Sequence, residues 1–159
     1  MPDVPAVPAA SVIVLRDGPL EVLMLRRHGT ASFAPNAWVF PGGVVDASDE
    51  RGSVLATMRL TAARELFEET GIWLGAPLAG AAEKRRALLA GAVPFRELLD
   101  LRWITPAEAL GSLEMIFPTV KNLEAIRDYT SSRALIESRI GADIRAIQPA
   151  IRDRRIELP

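Results

Sequence analysis

Three glutamates within five residues, Glu65, Glu68 and Glu69, are the part of this sequence best suited to chemistry, and Arg64 stands directly before them. They lie in Val54–Thr70, a stretch without glycine or proline and rich in helix formers. Gly71 follows, where a helix ends in left-handed dihedrals. At about 100° per residue, Leu55, Ala62, Ala63, Leu66 and Phe67 share one broad apolar face, expected to pack on a sheet. Glu65 and Glu69, four apart, run along one edge of that face, and Glu68 turns toward solvent beside Arg64. Like charges at this spacing repel weakly when exposed and more strongly when partly buried. Arg64 offsets one carboxylate; the others call for something positive. A hard divalent cation answers that need, because Mg2+ takes oxygen ligands and keeps waters and substrate phosphates in its shell. The chemistry this favours is attack of water on phosphorus. The cation neutralises phosphate charge and acidifies the water, and a glutamate accepts the proton. Three glutamates alone more often mark a solvated helix face, so the surroundings decide.

Those surroundings are strands. Ser11–Arg16 is a β-branched apolar run ending at Asp17-Gly18, a hairpin signal, and Glu21–Arg26 is its expected antiparallel partner. A polar loop spans Arg27–Asn36. Trp38-Val39-Phe40 resumes an extended run that bends at Pro41-Gly42-Gly43. Glycine there permits close backbone approach, and the bend could supply a carbonyl ligand to a metal. Beyond the helix, Glu83–Gly91 and Phe95–Leu101 read as short helices, and Arg102-Trp103-Ile104 as an extended piece. Thr105-Pro106-Ala107-Glu108 has the form of a capping box. Thr119–Tyr129 and Ser132–Ile140 are further helices. Residues 1–10 read as a disordered Pro/Ala tail and 11–159 as a single α/β domain with a helix-rich C-terminal half.

Arg64-Glu65-Leu66-Phe67-Glu68-Glu69-Thr70-Gly71-Ile72 resembles the core of the Nudix box, R-E-U-x-E-E-x-G-U with U aliphatic, at every specified position. Trp38-Val39-Phe40-Pro41-Gly42-Gly43 is similar to the W-x-x-P-G-G approach to that box, and the resemblance runs from about Ser11 to Leu74. It implies an α/β/α sandwich around a mixed sheet. It also implies Mg2+- or Mn2+-dependent hydrolysis of a diphosphate within a nucleoside diphosphate derivative. Carried over, Glu65 and Glu69 are the principal metal ligands, and Glu68 a further one, direct or through water. The Gly43 carbonyl is the backbone ligand, and Arg64 orients the carboxylates. The general base is a glutamate of the box or of a later loop. Within the family, ASVIVLRDG, LMLRR, the Phe33 loop, WVFPGGVVDASD and AARELFEETG look most like one branch. That branch contains the peroxisomal coenzyme A diphosphohydrolases and their bacterial relatives. In it Arg26 and Arg27, at the end of a strand, are either contacts for substrate phosphates or ordinary strand-end arginines. His28 reads as a loop residue, and Phe33 and Trp38 as core or loop anchors.

Two departures from the family pattern bear on this. The full box reads G-x5-E-x7-R-E, yet six residues after Gly43 stands Asp49, and eight before Arg64 stands Ala56. An insertion, roughly Asp46–Ser53, lengthens the connection, and the first glutamate is missing or replaced by Asp49 or Glu50. Downstream, Gly75–Asp100 has helical periodicity, and Trp103-Ile104-Thr105-Pro106-Ala107-Glu108-Ala109-Leu110 already resembles the late W-x-T-P-x-E-A-L segment. The sheet is therefore expected to have lost strands or to take them from a partner. An uncovered edge invites pairing, so a homodimer is expected, with exchange of elements as one form. The alternative function is a catalytically impaired Nudix-like nucleotide-binding or interaction module.

Composition narrows the partners. With Lys+Arg 19 against Asp+Glu 20 in 159 residues, no bulk field draws the chain to nucleic acid or membrane. Zero cysteines exclude a disulfide scaffold and a thiol nucleophile, and one histidine leaves no basis for a structural zinc site. The apolar runs fall far short of the ~20 residues of a bilayer span, and the start lacks the regions of a signal peptide. Cytoplasm is the expected location. Arg145, Arg152, Arg154 and Arg155 are expected in a solvated tail rather than a phosphate-facing patch.

Overall fold

The computed structural model describes residues 7–31, 34–75, 83, 98–142, 150–152 and 155–157. Its centre is strand β3, Glu21–Arg27, in which Val22, Leu23, Met24 and Leu25 are all fully buried. A strand apolar at consecutive positions needs cover on both faces, and it has that here. Val22 and Met24 pack with Trp38, Phe40, Ile104, Leu123, Ile126 and Leu135, whereas Leu23 and Leu25 pack with Leu66, Val12, Val14, Ile72 and Trp103.

The first hairpin forms as expected, β2 (Leu15–Arg16) pairing antiparallel with β3. The run Ser11–Arg16 is not one strand, however. β1 (Ala9–Ser11) pairs antiparallel with β5 (Gly42–Val44), reaching into the expected disordered tail. Between β1 and β2 the chain crosses from one pairing to the other. The Val12 N–H donates to Pro41 O (2.9 Å), and Val14 O accepts from the Leu23 N–H (3.1 Å). β4 (Trp38–Val39) pairs with the far end of β3.

On the opposite edge of β3 lies β6 (Leu98–Ile104), antiparallel from Val22↔Ile104 to Arg26↔Asp100. This corrects the expected helix Phe95–Leu101 over Leu98–Leu101; residues 95–97 lie outside the described residues. A helical pattern and a strand with one apolar face are hard to separate in so short a run, and the open edge of β3 settles it as a strand. Of the expected helix Glu83–Gly91 only Glu83 is described, and it is helical. The named strand pairs are antiparallel, with a parallel bridge from Trp38 to Met115.

Helix α1 spans Val54–Thr70. The Ser53 hydroxyl accepts from the Ala56 N–H (3.2 Å), and Gly71 ends the helix at φ 71°. It packs on β1 and β5. Leu66 and Phe67 are buried, but Leu55, expected on the same face, is 53% exposed, as is its first-turn neighbour Val54 at 75%. α2 (Pro106–Ser112) carries the expected Thr105–Glu108 capping box, and α3 (Phe117–Ile126) and α4 (Ser132–Arg139) complete the other side. Asp17, in the first turn of the chain, accepts from the Ser132 N–H at 2.7 Å and so tethers α4. A last hairpin, β7 (Ala150–Arg152) and β8 (Arg155–Glu157), stands where an unpatterned tail was expected. It holds Arg152 and Arg155; Arg145 and Arg154 lie outside the described residues, as does Phe33. Among the described residues no helix is long and apolar enough to cross a membrane.

Candidate functional site

The C-terminal half of α1 meets the Gly42-Gly43 bend, and the site is built at that contact. The Gly42 N–H donates to Glu69 Oε2 (3.0 Å). Gly42 itself, at φ +154°, lies so close to the Ala10 carbonyl and to Ser11 that a side chain there would collide with backbone. At Gly43 a Cβ would sit 2.5 Å from the carboxyl carbon of Glu65. The glycine pair is therefore required twice, once for the β1–β5 pairing and once to leave room for a carboxylate. The structure brings together Gly43, Glu65 and Glu69, three of the four residues expected to hold a metal.

The fourth, Glu68, is turned away. It is about half exposed and pairs with Arg64 (3.0 Å). Arg64 also pairs with Glu65 (2.9 Å) and donates to the Val44 carbonyl (3.1 Å). Its principal partner is Asp49, which takes Nε at 2.9 Å and Nη2 at 2.8 Å. Asp49 is 1% exposed. The Thr61 hydroxyl (2.9 Å) and the Asp46 N–H (3.1 Å) also donate to it, the latter closing a capping box on the 3-10 turn Ala47–Asp49. The hydrogen bonds from Arg64 hold the Asp49 carboxyl well below the usual carboxylate range. Of the two residues the sequence offers in place of the first glutamate of the motif, Asp49 is the one that meets Arg64. Thr61 carried no signal in the sequence beyond being a polar residue in the middle of a helix.

Electrostatics separates the carboxylates. Burial pushes Glu69 up to about 7; the Gly42 N–H opposes this, the Glu65 charge adds to it, and the Arg27 charge lowers it. Burial also raises Glu65, with Arg64 acting against it. Asp49, Glu65, Glu68 and Glu69 therefore share the positive charge of Arg64 and Arg27. An all-oxygen donor pair, desolvated and short of positive charge, suits a hard divalent cation. Among the described residues no group of three or more His, Cys, Asp or Glu side chains is gathered as a metal cage. Glu65, Glu69 and the backbone at Gly43 are the oxygen donors that could hold such an ion at this contact.

The two strand-end arginines are divided. Side chains alternate along β3, so Arg26, in register with Trp38 and Asp100, faces the α2–α4 side, and Arg27 faces the side of Glu69. His28 is an exposed loop residue bonded to the Thr30 hydroxyl (2.8 Å), and Trp38 is a core anchor, 6% exposed.

Known proteins are similar to this chain in sequence and in fold. A family model described as the NUDIX domain matches residues 5–123. The Caenorhabditis elegans protein named "Putative nudix hydrolase 7" is 50% identical over 64 residues, 40% of this chain. That match spans about a fifth (21%) of the relative's length. Among solved structures, the NUDIX hydrolase from Alicyclobacillus acidocaldarius is similar with a TM-score of 0.63 and 20% identity, over 84% of this chain and 96% of that one. The NUDIX domain of Shewanella oneidensis NrtR, solved in complex with ADP ribose, is similar with a TM-score of 0.52 and 15% identity, over 79% and 89%. At these identities the structural likeness is one of fold.

Proposed function

The chain belongs to the NUDIX domain family, and from that membership we propose that it is a divalent-cation-dependent hydrolase of the diphosphate linkage in a nucleoside diphosphate derivative. The observation that carries the reading is the pair Glu65 and Glu69. Both are desolvated against the glycine bend with little compensating charge: Glu69 has one backbone N–H and the charge of Arg27, and Glu65 shares Arg64 with Asp49 and Glu68.

In this reading Glu65 and Glu69, with the Gly43 carbonyl, hold Mg2+ or Mn2+. When bound, the cation neutralises phosphate charge and lowers the pKa of a coordinated water. Asp49 fixes the Arg64 guanidinium, and Arg64 fixes one oxygen of Glu65, so that the other is aimed and does not wander. Glu68, on the exposed side of Arg64, is a further ligand through water or a proton acceptor. Arg27 faces the phosphates from β3; Arg26, on the other face, is an ordinary strand-end arginine. The branch-like segments around these residues favour coenzyme A or an acyl-coenzyme A as substrate. The partners are the small-molecule substrate and a second copy of the chain, with no nucleic acid or membrane, and the location is the cytoplasm.

The test is a chromatographic screen for cleavage of coenzyme A, ADP-ribose, dinucleotides and nucleoside triphosphates, with Mg2+ and with Mn2+. Cleavage of one class is expected, and Glu69→Gln is expected to lower its kcat by about 10²–10⁴-fold. Silence of the folded protein across the panel would replace the hydrolase with the nucleotide-binding module.

A further inference from the structure

We propose that two copies of this chain join through the outer edge of β6, antiparallel about a two-fold axis at Leu101, continuing the sheet from one protomer into the other. The inference is independent of the hydrolytic reading. It starts from which way the backbone of β6 faces.

The N–H groups of Leu23 and Arg27 donate to Val14 O and Ala37 O, on the side of β3 away from β6. In an antiparallel ladder alternate residues direct both backbone groups to the same side. Leu23, Leu25 and Arg27 therefore face away from β6, and Leu101 and Trp103, in register with Leu25 and Leu23, turn their N–H and C=O groups outward. No strand among the described residues takes them. Among the described residues the Leu101 N–H meets its own neighbour, Asp100, at 2.8 Å. Edges of this kind pair with other chains unless something prevents it.

The side chains of this edge complement their own two-fold copy. With the axis at Leu101, Leu101 faces the partner's Leu101 and the two exchange both backbone hydrogen bonds. On either side, Asp100 then stands opposite the partner's Arg102, and Arg102 opposite the partner's Asp100. These are positions without backbone bonds between them, where facing side chains come closest. Within one protomer the same two residues make only a loose 3.7 Å pair, each about half exposed. Pairing gives each a further facing partner, beyond Arg26 across from Asp100 and the Trp38 ring 5.0 Å from the Arg102 guanidinium, and passes the Leu101 N–H from Asp100 to a carbonyl. Leu101, 45% exposed, is covered by its own copy. A slip of the axis to Asp100 or to Arg102 sets like charges opposite each other, so the charges select one register.

Sedimentation equilibrium across a concentration series tests this. The wild type is expected at twice the 17.3 kDa chain mass. Asp100→Arg and Arg102→Asp, each alone, place like charges in opposition and should raise the dimer dissociation constant at least tenfold. The double variant Asp100→Arg/Arg102→Asp restores the complement and should return the dimer. That recovery, with unchanged circular dichroism in all three variants, separates a lost interface from a lost fold. A wild type monomeric at every concentration would overturn the proposal, as would a dimer indifferent to the single substitutions. Neither residue is part of the carboxylate site, so hydrolysis per protomer should not follow the changes in mass.

Discussion

Glu69 sits where burial and a neighbouring carboxylate outweigh one backbone N–H and the charge of Arg27, and its pKa comes to about 7. An unfolded glutamate titrates near ~4.3. Between those two values the folded chain keeps a proton that the unfolded chain has released. Its stability is therefore greatest below the window and falls as pH rises through it, by at most about 4 kcal/mol. A divalent cation can take the proton's place, so its stabilising effect should grow over the same interval. Melting curves from about pH 5 to about 8 should show a falling midpoint without cation and a widening gain with Mg2+. Glu69→Gln should flatten both trends, and a wild-type midpoint indifferent to pH would contradict the account. Gly43 offers a second test at this scale. A methyl group there would displace the Glu65 carboxylate, the far end of a flexible side chain, and not backbone. Gly43→Ala should leave the melting midpoint nearly unchanged while lowering kcat by about 10²-fold, the cost of a misplaced ligand.

Among the elements, the loop before α1 matters most to the site. The 3-10 turn Ala47–Asp49 carries a carboxylate back to the middle of α1, and that carboxylate holds Arg64 in place. Asp49→Ala leaves Arg64 with its weaker partners and the Thr61 hydroxyl with the Thr57 carbonyl in place of a carboxylate. Urea unfolding should register a loss of about 2–3 kcal/mol, and the Mg2+-dependent rise in melting midpoint should shrink with it. The sequence allowed both Asp49 and Glu50 for this place, because spacing from Gly43 points to a region, and only the folded turn shows which side chain points inward. Local signals were fully legible. The span Val54–Thr70, its Gly71 end and the Thr105 capping box are written in neighbouring residues and appear where expected. What escaped was non-local. β6 is a strand because β3 offers an edge, and Ala9–Ser11 is a strand because the glycine bend comes back beside it. Nothing within either segment states this.

The molecule as a whole is two assemblies backed onto one strand. Leu23 and Leu25 look toward α1 and the carboxylates, Val22 and Met24 toward α2, α3 and α4. Amides of a strand so enclosed open only on global unfolding, so hydrogen exchange should be slowest across Val22–Leu25 and faster at β1 and β5. The tether from Asp17 to Ser132 ties the helical side to the first hairpin and not to the carboxylate end of α1. The two sides can therefore vary on separate terms. Among the described residues α3 and α4 pack on the face of β3 that carries Val22 and Met24, opposite the face that carries Leu23, Leu25 and the carboxylate helix. The shape presented to one environment can drift while the reactive centre facing the other stays fixed.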